Sequence, residues 1–255
     1  MKKRNMSNTA ELPLSVSIIS FNEAANIGRT LDSIKPLASE IIVVDSHSTD
    51  NTREIAEKHG VSVYLDHGKG KGEAMRMAMK IFTGDALVYL DADGSHLPDD
   101  IPRLLEPIQT NSADMVIGSR FKGGSDELVG TINQLFRITG SNIITTFINY
   151  RWNIHLSDTQ NGFRALTREA AEALELNVNG FPIETEMDIQ ILQRGFRIGE
   201  VPAHEYPRKG GESKIRLLRI WYQYPLLLIK TFFQPKYLPG ADERLKKNPR
   251  MDTLK

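Results

Sequence analysis

The stretch Ala86–Ser95, ALVYLDADGS, decides how the chain is read. Ala86 to Leu90 is a short apolar run suited to extended backbone, and two carboxylates, Asp91 and Asp93, follow it directly. A strand apolar along its whole length is buried on both faces, as in a parallel sheet. Open sheets of that kind bind ligands beyond the carboxyl ends of their strands. Side chains two apart on extended backbone point the same way, so both carboxylates are expected on one side of the chain. Close carboxylates repel unless a cation lies between them. Hard oxygen donors suit Mg2+ or Mn2+, with water and substrate phosphate filling the remaining positions.

Working outward, Leu14–Ser20 (LSVSIIS), Ile41–Asp45 (IIVVD), Val61–Leu65 and Met115–Gly118 read as further strands. Helical patterns separate them. One carries Ile27, Leu31 and Ile34, with Asn22 placed to cap it; a second is capped by Asp50 or Asn51 and ends near Gly60. Gly72–Phe82 and Pro98–Gln109 are the third and fourth helices. This alternation predicts an α/β sandwich, a mostly parallel sheet flanked by helices. Asp45 then ends the second strand, Phe21-Asn22-Glu23 ends the first, and with Asp91 three polar strand ends make one cleft. A carboxylate at Asp45 can accept an N–H from a base.

Past Ser119 the pattern changes. Thr131–Tyr150 places Ile132, Phe136, Gly140, Ile143 and Phe147 on one stripe, facing either the core or lipid. Ile183–Arg194 reads as a helix and Arg197–Val201 as a strand. Lys214–Phe233 is apolar and aromatic, kinked at Pro225, with Arg216, Arg219 and Lys230 at its flanks. That combination suits a membrane interface or packing against the sheet. Its apolar run is too short to span a bilayer, which takes roughly 20 residues. The expected organisation is a flexible tail at 1–12, a catalytic domain at 13–213, an interfacial helical segment at 214–235 and a basic tail at 236–255.

Composition narrows the function. The 255 residues include 32 Lys+Arg, 32 Asp+Glu and no cysteine. Thiolate chemistry and disulfides are excluded, and a net charge of zero argues against a nucleic-acid partner bound by bulk electrostatics. Dinucleotide, P-loop, nucleophile-elbow and zincin motifs are all missing. Lys2-Lys3-Arg4 is followed by polar residues rather than an apolar run, so no secretory signal is read and a cytoplasmic location is expected. Five basic residues and one acid between Arg208 and Arg219 suit anions and an adjoining membrane surface.

IISFNE, VVDSHSTDNT, GKGEA, DADGS, GSRF, DTQNGFRA and GGESK occur in the order found in family 2 glycosyltransferases. Within that family the chain resembles the polyprenyl-phosphate (dolichyl-phosphate) mannose or glucose synthases. The resemblance implies a GT-A fold and inverting transfer of a hexose from a UDP- or GDP-sugar to a polyprenyl phosphate, at the cytoplasmic face of a membrane. It places Phe21, Asn22, Glu23, Asp45, Lys71, Asp91, Ala92 and Asp93 at the nucleotide sugar. Asp91, Asp93 and Ser95 would hold Mg2+ or Mn2+. Arg208 and Lys214 would meet the diphosphate or the acceptor phosphate and serve catalysis beside Asp91 and Asp93, while Arg120 and Arg164 are candidates for the acceptor phosphate or for structural ion pairs. Two positions depart from the mannose synthases: Ile19 stands where proline is common, and Ser95 where glutamine is.

A phosphate monoester has its second pKa near ~6 and arrives ionised, so such an acceptor needs no general base. A sugar-hydroxyl acceptor is the alternative within the class and would need a carboxylate, Glu184 or Glu186. A haloacid-dehalogenase-like phosphatase shares the strand-end D-x-D, with Ser95 closing the motif. A catalytically silent binding module is the last alternative.

Overall fold

The structure, a computed structural model, describes residues 12–126, 132–207 and 222–247. Strands β1 (Leu14–Ser20), β2 (Glu40–Asp45), β3 (Ser62–Leu65), β4 (Ala86–Asp91), β5 (Met115–Ser119), β6 (Arg164–Thr167) and β7 (Ile198–Pro202) form one sheet. Its order is β3-β2-β1-β4-β6-β5-β7. Every pairing is parallel except those of β6, which runs antiparallel between β4 and β5. The α/β sandwich with a mostly parallel sheet is as the alternation predicts. The exception, β6, is four residues that start at the end of the DTQNGFRA stretch, too short to carry a period of their own.

Helices α1 (Ile27–Ile34), α2 (Thr52–Lys58), α3 (Lys71–Ile81), α4 (Ile101–Gln109), α5 (Arg120–Gly123) and α6 (Ile132–Trp152) follow the strands of the first half and its extension. Helices α7 (Arg168–Glu172), α8 (Ile183–Gln193), α9 (Gln223–Phe233) and α10 (Ala241–Lys247) complete the described chain. Strand β4 shows why its run is wholly apolar. Val88 and Leu90 enter one core with Val16, Ile18 and Leu104, while Leu87 and Tyr89 enter the other with Met75, Ile117 and Met187. Alternating side chains buried on both faces leave no position for a polar residue until the strand ends.

Three local expectations are corrected. Asn26, not Asn22, precedes α1; Asn22 has φ +55 and bonds to the β2 loop instead. No kink is needed at Pro225 in the described part of its segment, because α9 starts at Gln223 and proline in a first turn forfeits no helical hydrogen bond; residues 214–221 lie outside the described residues. Of the two orientations open to the α6 stripe, the core-facing one is corrected for Phe136 and Ile143. Phe136 and Ile143 are 67% and 60% exposed, while Ile144, Ile148 and Trp152 are buried. That buried face packs with Ile189 and Leu192 of α8 and with Tyr224, Leu227 and Leu228 of α9. Arg151 donates to the Gln234 carbonyl and the Trp152 indole to that of Lys236, fastening the segment after α9 beneath α6.

Ile148→Ala is expected to cost about 2–5 kcal/mol, whereas Ile143→Ala should stay within roughly 0.5 kcal/mol of wild type. Chemical denaturation of both variants checks which stripe is core; equal losses would refute this packing.

Candidate active site

The parallel register brings the functional strand ends together. Ser20 of β1 lies opposite Asp45 of β2, and Ile19 opposite Asp91 of β4. The β1 and β2 loops are then laced by side chains. The Asn22 N–H donates to Ser48 Oγ at 2.8 Å, and Asn22 Oδ1 accepts the Thr49 N–H at 2.7 Å. The Glu23 N–H reaches Thr52 Oγ1 at 2.8 Å, and its carboxylate accepts from Asn26 Nδ2 at 3.0 Å. Asp45 is fully buried and accepts the Ser48 N–H at 2.8 Å and the Ser20 hydroxyl at 3.1 Å. Phe21 stays exposed on the rim.

The two aspartates do not share one extended chain as expected. Strand β4 stops at Asp91 and the backbone turns through Ala92 to Gly94, where φ is +73. Ala92 is buried and its carbonyl accepts the Thr30 hydroxyl at 3.4 Å. Asp93 is buried, with Oδ1 accepting the Ser95 N–H at 3.0 Å, and the Ser95 carbonyl accepts the Tyr206 N–H at 2.8 Å. Among the described residues no three His, Asp or Glu side chains form a protein cage for a metal. Two carboxylates at a strand end nonetheless fit Mg2+ or Mn2+, which keep water and substrate phosphate as ligands.

Lys71, the first residue of α3, supplies the cation beside Asp91. Its Nζ lies 3.2 Å from Asp91 Oδ1 and 2.9 Å from Glu184 Oε1 on α8, with the side chain only 17% exposed. Burial alone would lower its pKa, but Asp91 and Glu184 more than offset that and hold the ammonium above its ordinary value. Gly162 closes one side: a Cβ there would lie 2.8 Å from Lys71 Nζ and 3.2 Å from Asp91 Oδ2.

Residues 177–180 fix the start of α3. The Gly72 N–H donates to the Asn179 carbonyl at 2.8 Å, and any side chain at Gly72 would strike the Val178 and Asn179 backbone. Arg76 grips the Val178 carbonyl and the Asn179 side chain. Glu186 accepts the Asn177 and Val178 N–H groups at 2.9 and 2.8 Å. On the other flank, the Glu73 carboxylate accepts the Lys69 N–H at 3.0 Å and meets His67 Nδ1 at 2.9 Å. Sequence reading missed Arg76, and assigned neither Glu184 to Lys71 nor Glu186 to this loop; the partners come from segments far apart in the chain.

The predicted acceptor arginines have protein partners. Arg164 is wholly buried, donating to the Asn161, Thr159 and Glu184 carbonyls and pairing with Asp188 at 2.8 Å. Its contact with an acceptor phosphate is therefore corrected: enclosed among those acceptors, the guanidinium ties the DTQNGF loop to α8. Burial and the neighbouring Glu184 and Asp158 push the Asp188 carboxyl up to about 7 even against Arg164. Arg120 donates Nε and Nη2 to the Asp158 carboxylate at 2.7 and 3.0 Å, and its Nη1 lies 3.5 Å from Glu205. Arg208 and Lys214 lie outside the described residues.

The strand ends of this mostly parallel sheet thus gather an aspartate at β2, a D-x-D at β4 and a largely enclosed lysine, on a GT-A-like α/β fold. Residues 15–175 match the model of Glycosyl transferase family 2, and the chain belongs to that family. It is 34% identical over 195 residues to glycosyltransferase AglJ of Haloferax volcanii, covering 76% of this chain but only 63% of AglJ. It is 32% identical over 213 residues to the undecaprenyl-phosphate mannosyltransferase of Micrococcus luteus, covering 78% and 85% of the two chains. Its fold matches the crystal structure of glucosyl-3-phosphoglycerate synthase from Mycobacterium tuberculosis in complex with Mn2+, UDP-glucose and phosphoglyceric acid. There the TM-score is 0.69 at 24% identity, covering 89% of this chain and 82% of that one.

Burial would raise the Asp158 carboxyl, but Arg120 outweighs it and holds the group below the usual carboxylate range. A depressed folded-state pKa gives stability that is present above the unfolded value, near ~3.9, and is lost as pH falls through the folded one. Asp158→Asn is expected to cost roughly 2–4 kcal/mol at neutral pH, since Arg120 would stay buried with only its longer contact to Glu205 as counter-charge. Melting curves from neutral to acid pH should therefore converge for the two proteins; parallel curves would refute the pairing.

Proposed function

We propose that the chain transfers a hexose, with inversion, from a UDP- or GDP-sugar to a polyprenyl phosphate. One observation carries the choice of acceptor. Both α8 carboxylates that a hydroxyl acceptor would draw on as a base are already engaged, Glu184 by Lys71 and Glu186 by the Asn177 and Val178 N–H groups. An acceptor phosphate, ionised at neutral pH, makes no such demand. The name of the Micrococcus luteus relative supports the same class of acceptor.

In this reading Phe21, Asn22, Glu23 and Asp45 receive the nucleoside, and Lys71, Ala92 and the D-x-D turn face the diphosphate. Asp91 and Asp93, with Ser95 beside them, would hold Mg2+ or Mn2+, which when bound supplies positive charge to the departing diphosphate. Lys71 positions the same diphosphate. Arg120, oriented by Asp158, meets the acceptor phosphate, and Arg208 and Lys214 add charge from the basic segment. The chain's contribution is orientation and leaving-group stabilisation.

The acceptor's lipid agrees with two exposed apolar faces. Leu135, Phe136 and Ile143 project from α6, and Leu226, Ile229, Phe232 and Phe233 from α9, which packs against it. Among the described residues no helix is long and apolar enough to cross a membrane. We therefore assign residues 13–213 to catalysis, 214–235 to the interface at the cytoplasmic membrane face and 1–12 to a tail; the basic tail expected at 236–255 is corrected over residues 236–247, where α10 buries Ala241 and Arg244 donates to the Arg194 carbonyl.

Purified protein incubated with Mn2+, a short polyprenyl phosphate and a panel of UDP- and GDP-hexoses should yield a glycosylated lipid phosphate detectable by mass spectrometry. Asp93→Ala should lower the rate at least about a hundredfold. Phe232→Ser/Phe233→Ser should spare folding yet weaken sedimentation with anionic vesicles. Transfer to a free sugar hydroxyl, with the lipid phosphate untouched, would refute the reading.

A further inference from the structure

Lys71 is held in a way that bears on how the D-x-D site fills. Its ammonium lies on Asp91 Oδ1, the strand-end carboxylate, at 3.2 Å, and is steadied from behind by Glu184 at 2.9 Å. Gly162 leaves no slack on one side of it. The backbone of Lys71 cannot retreat either, because α3 is fastened at Gly72 and Arg76 to residues 177–180. A divalent ion placed on Asp91 would therefore face a fixed positive charge at close range, in a partly buried setting where like charges are weakly screened. Only the side chain can give way, and it gives way when another anion is offered to the ammonium. A nucleoside diphosphate arriving at the strand ends is such an anion.

Resting on the proposed Asp91/Asp93 cation site, we propose that Lys71 is an electrostatic gate. It occupies Asp91 until a diphosphate draws it off, so that cation and donor enter together rather than in sequence. Glu184 acts through Lys71 as a positioning residue that returns the ammonium to Asp91 once the diphosphate leaves. Binding linkage makes the effect reciprocal: whatever favours the cation on Asp91 favours the diphosphate on Lys71.

The test reads binding, not turnover. Free Mn2+ is titrated by electron paramagnetic resonance against the full chain without nucleotide, in wild type, Lys71→Met and the charge-conserving pair Lys71→Met/Glu184→Gln. The pair leaves the net charge of the site unchanged and buries no lone carboxylate, so it guards against misfolding and against a merely global charge effect. The gate predicts Mn2+ binding at least ten times tighter in the pair than in wild type. UDP or GDP should then enhance Mn2+ binding less in the pair than in wild type. Mn2+ affinity that is unchanged or weaker in the folded pair overturns the gate while leaving the cation site standing, provided Asp93→Ala abolishes binding. Mn2+ binding that survives Asp93→Ala overturns the site and the gate together.

Discussion

The cleft depends on one buried cation. Lys71 stands between Asp91 at the end of β4 and Glu184 on α8, joining two parts of the chain that the sheet alone does not connect. Asp91 falls in a cleft edge that also holds the buried carboxylates of Asp45 and Asp93. Carboxylates gathered so closely destabilise one another unless positive charge is interleaved. The ammonium meets that need from within the protein, and the fold around it is arranged to keep it in place.

That arrangement explains residues whose types would otherwise look arbitrary. Gly72 is small because residues 177–180 lie on it, and Gly162 because Lys71 and Asp91 lie on it. Glu186 spends its carboxylate on two backbone N–H groups of the same loop, and Glu73 does likewise for residues 67–69. Arg164 performs the matching task beneath, where it satisfies three backbone carbonyls and Asp188. Charged groups here are used as fasteners for loops. Their burial is tolerable only because nearly every polar atom finds a partner; Asp188 Oδ2 is among the few buried side-chain atoms left without one.

How much of this was legible in the sequence follows from range. Strands buried on both faces announce themselves as apolar runs, and β1, β2, β4 and β5 were readable for that reason. Strand β6 was not, since four residues wedged antiparallel between β4 and β5 have no pattern to show. The D-x-D was found by type and place but its geometry was misjudged, because alternation holds only while the strand lasts and this one turns at Ala92. The face of α6 was left open between core and lipid for a different reason. Apolar residues lie on more than one side of that helix, and periodicity cannot say which side meets protein. Arg164, read as either a phosphate contact or a structural ion pair, and Glu184 were left open because their partners lie on other elements, and side-chain pairing across a fold leaves no local trace.

The double apolar character of α6 and α9 has a consequence for the cleft. The pair buries Ile144 and Ile148 inward, with Tyr224 and Leu227 partly buried against them, and leaves Phe136, Ile143, Leu226 and Phe232 outward. Tyr224 lies inward on α9 among the charges of Glu184, Lys71 and Arg137, where burial, with Glu184 adding to it, raises the phenol above its ordinary pKa. The helix that presents apolar residues outward thus packs a phenol against the α6–α8 cluster on its other face. Exposed apolar area is costly in water and favourable at a lipid surface. Under the proposed function, a helix that makes both contacts would bring the lipid's phosphate to the cleft by seating its chain, so that positioning of the acceptor and burial of the interface would be one event rather than two.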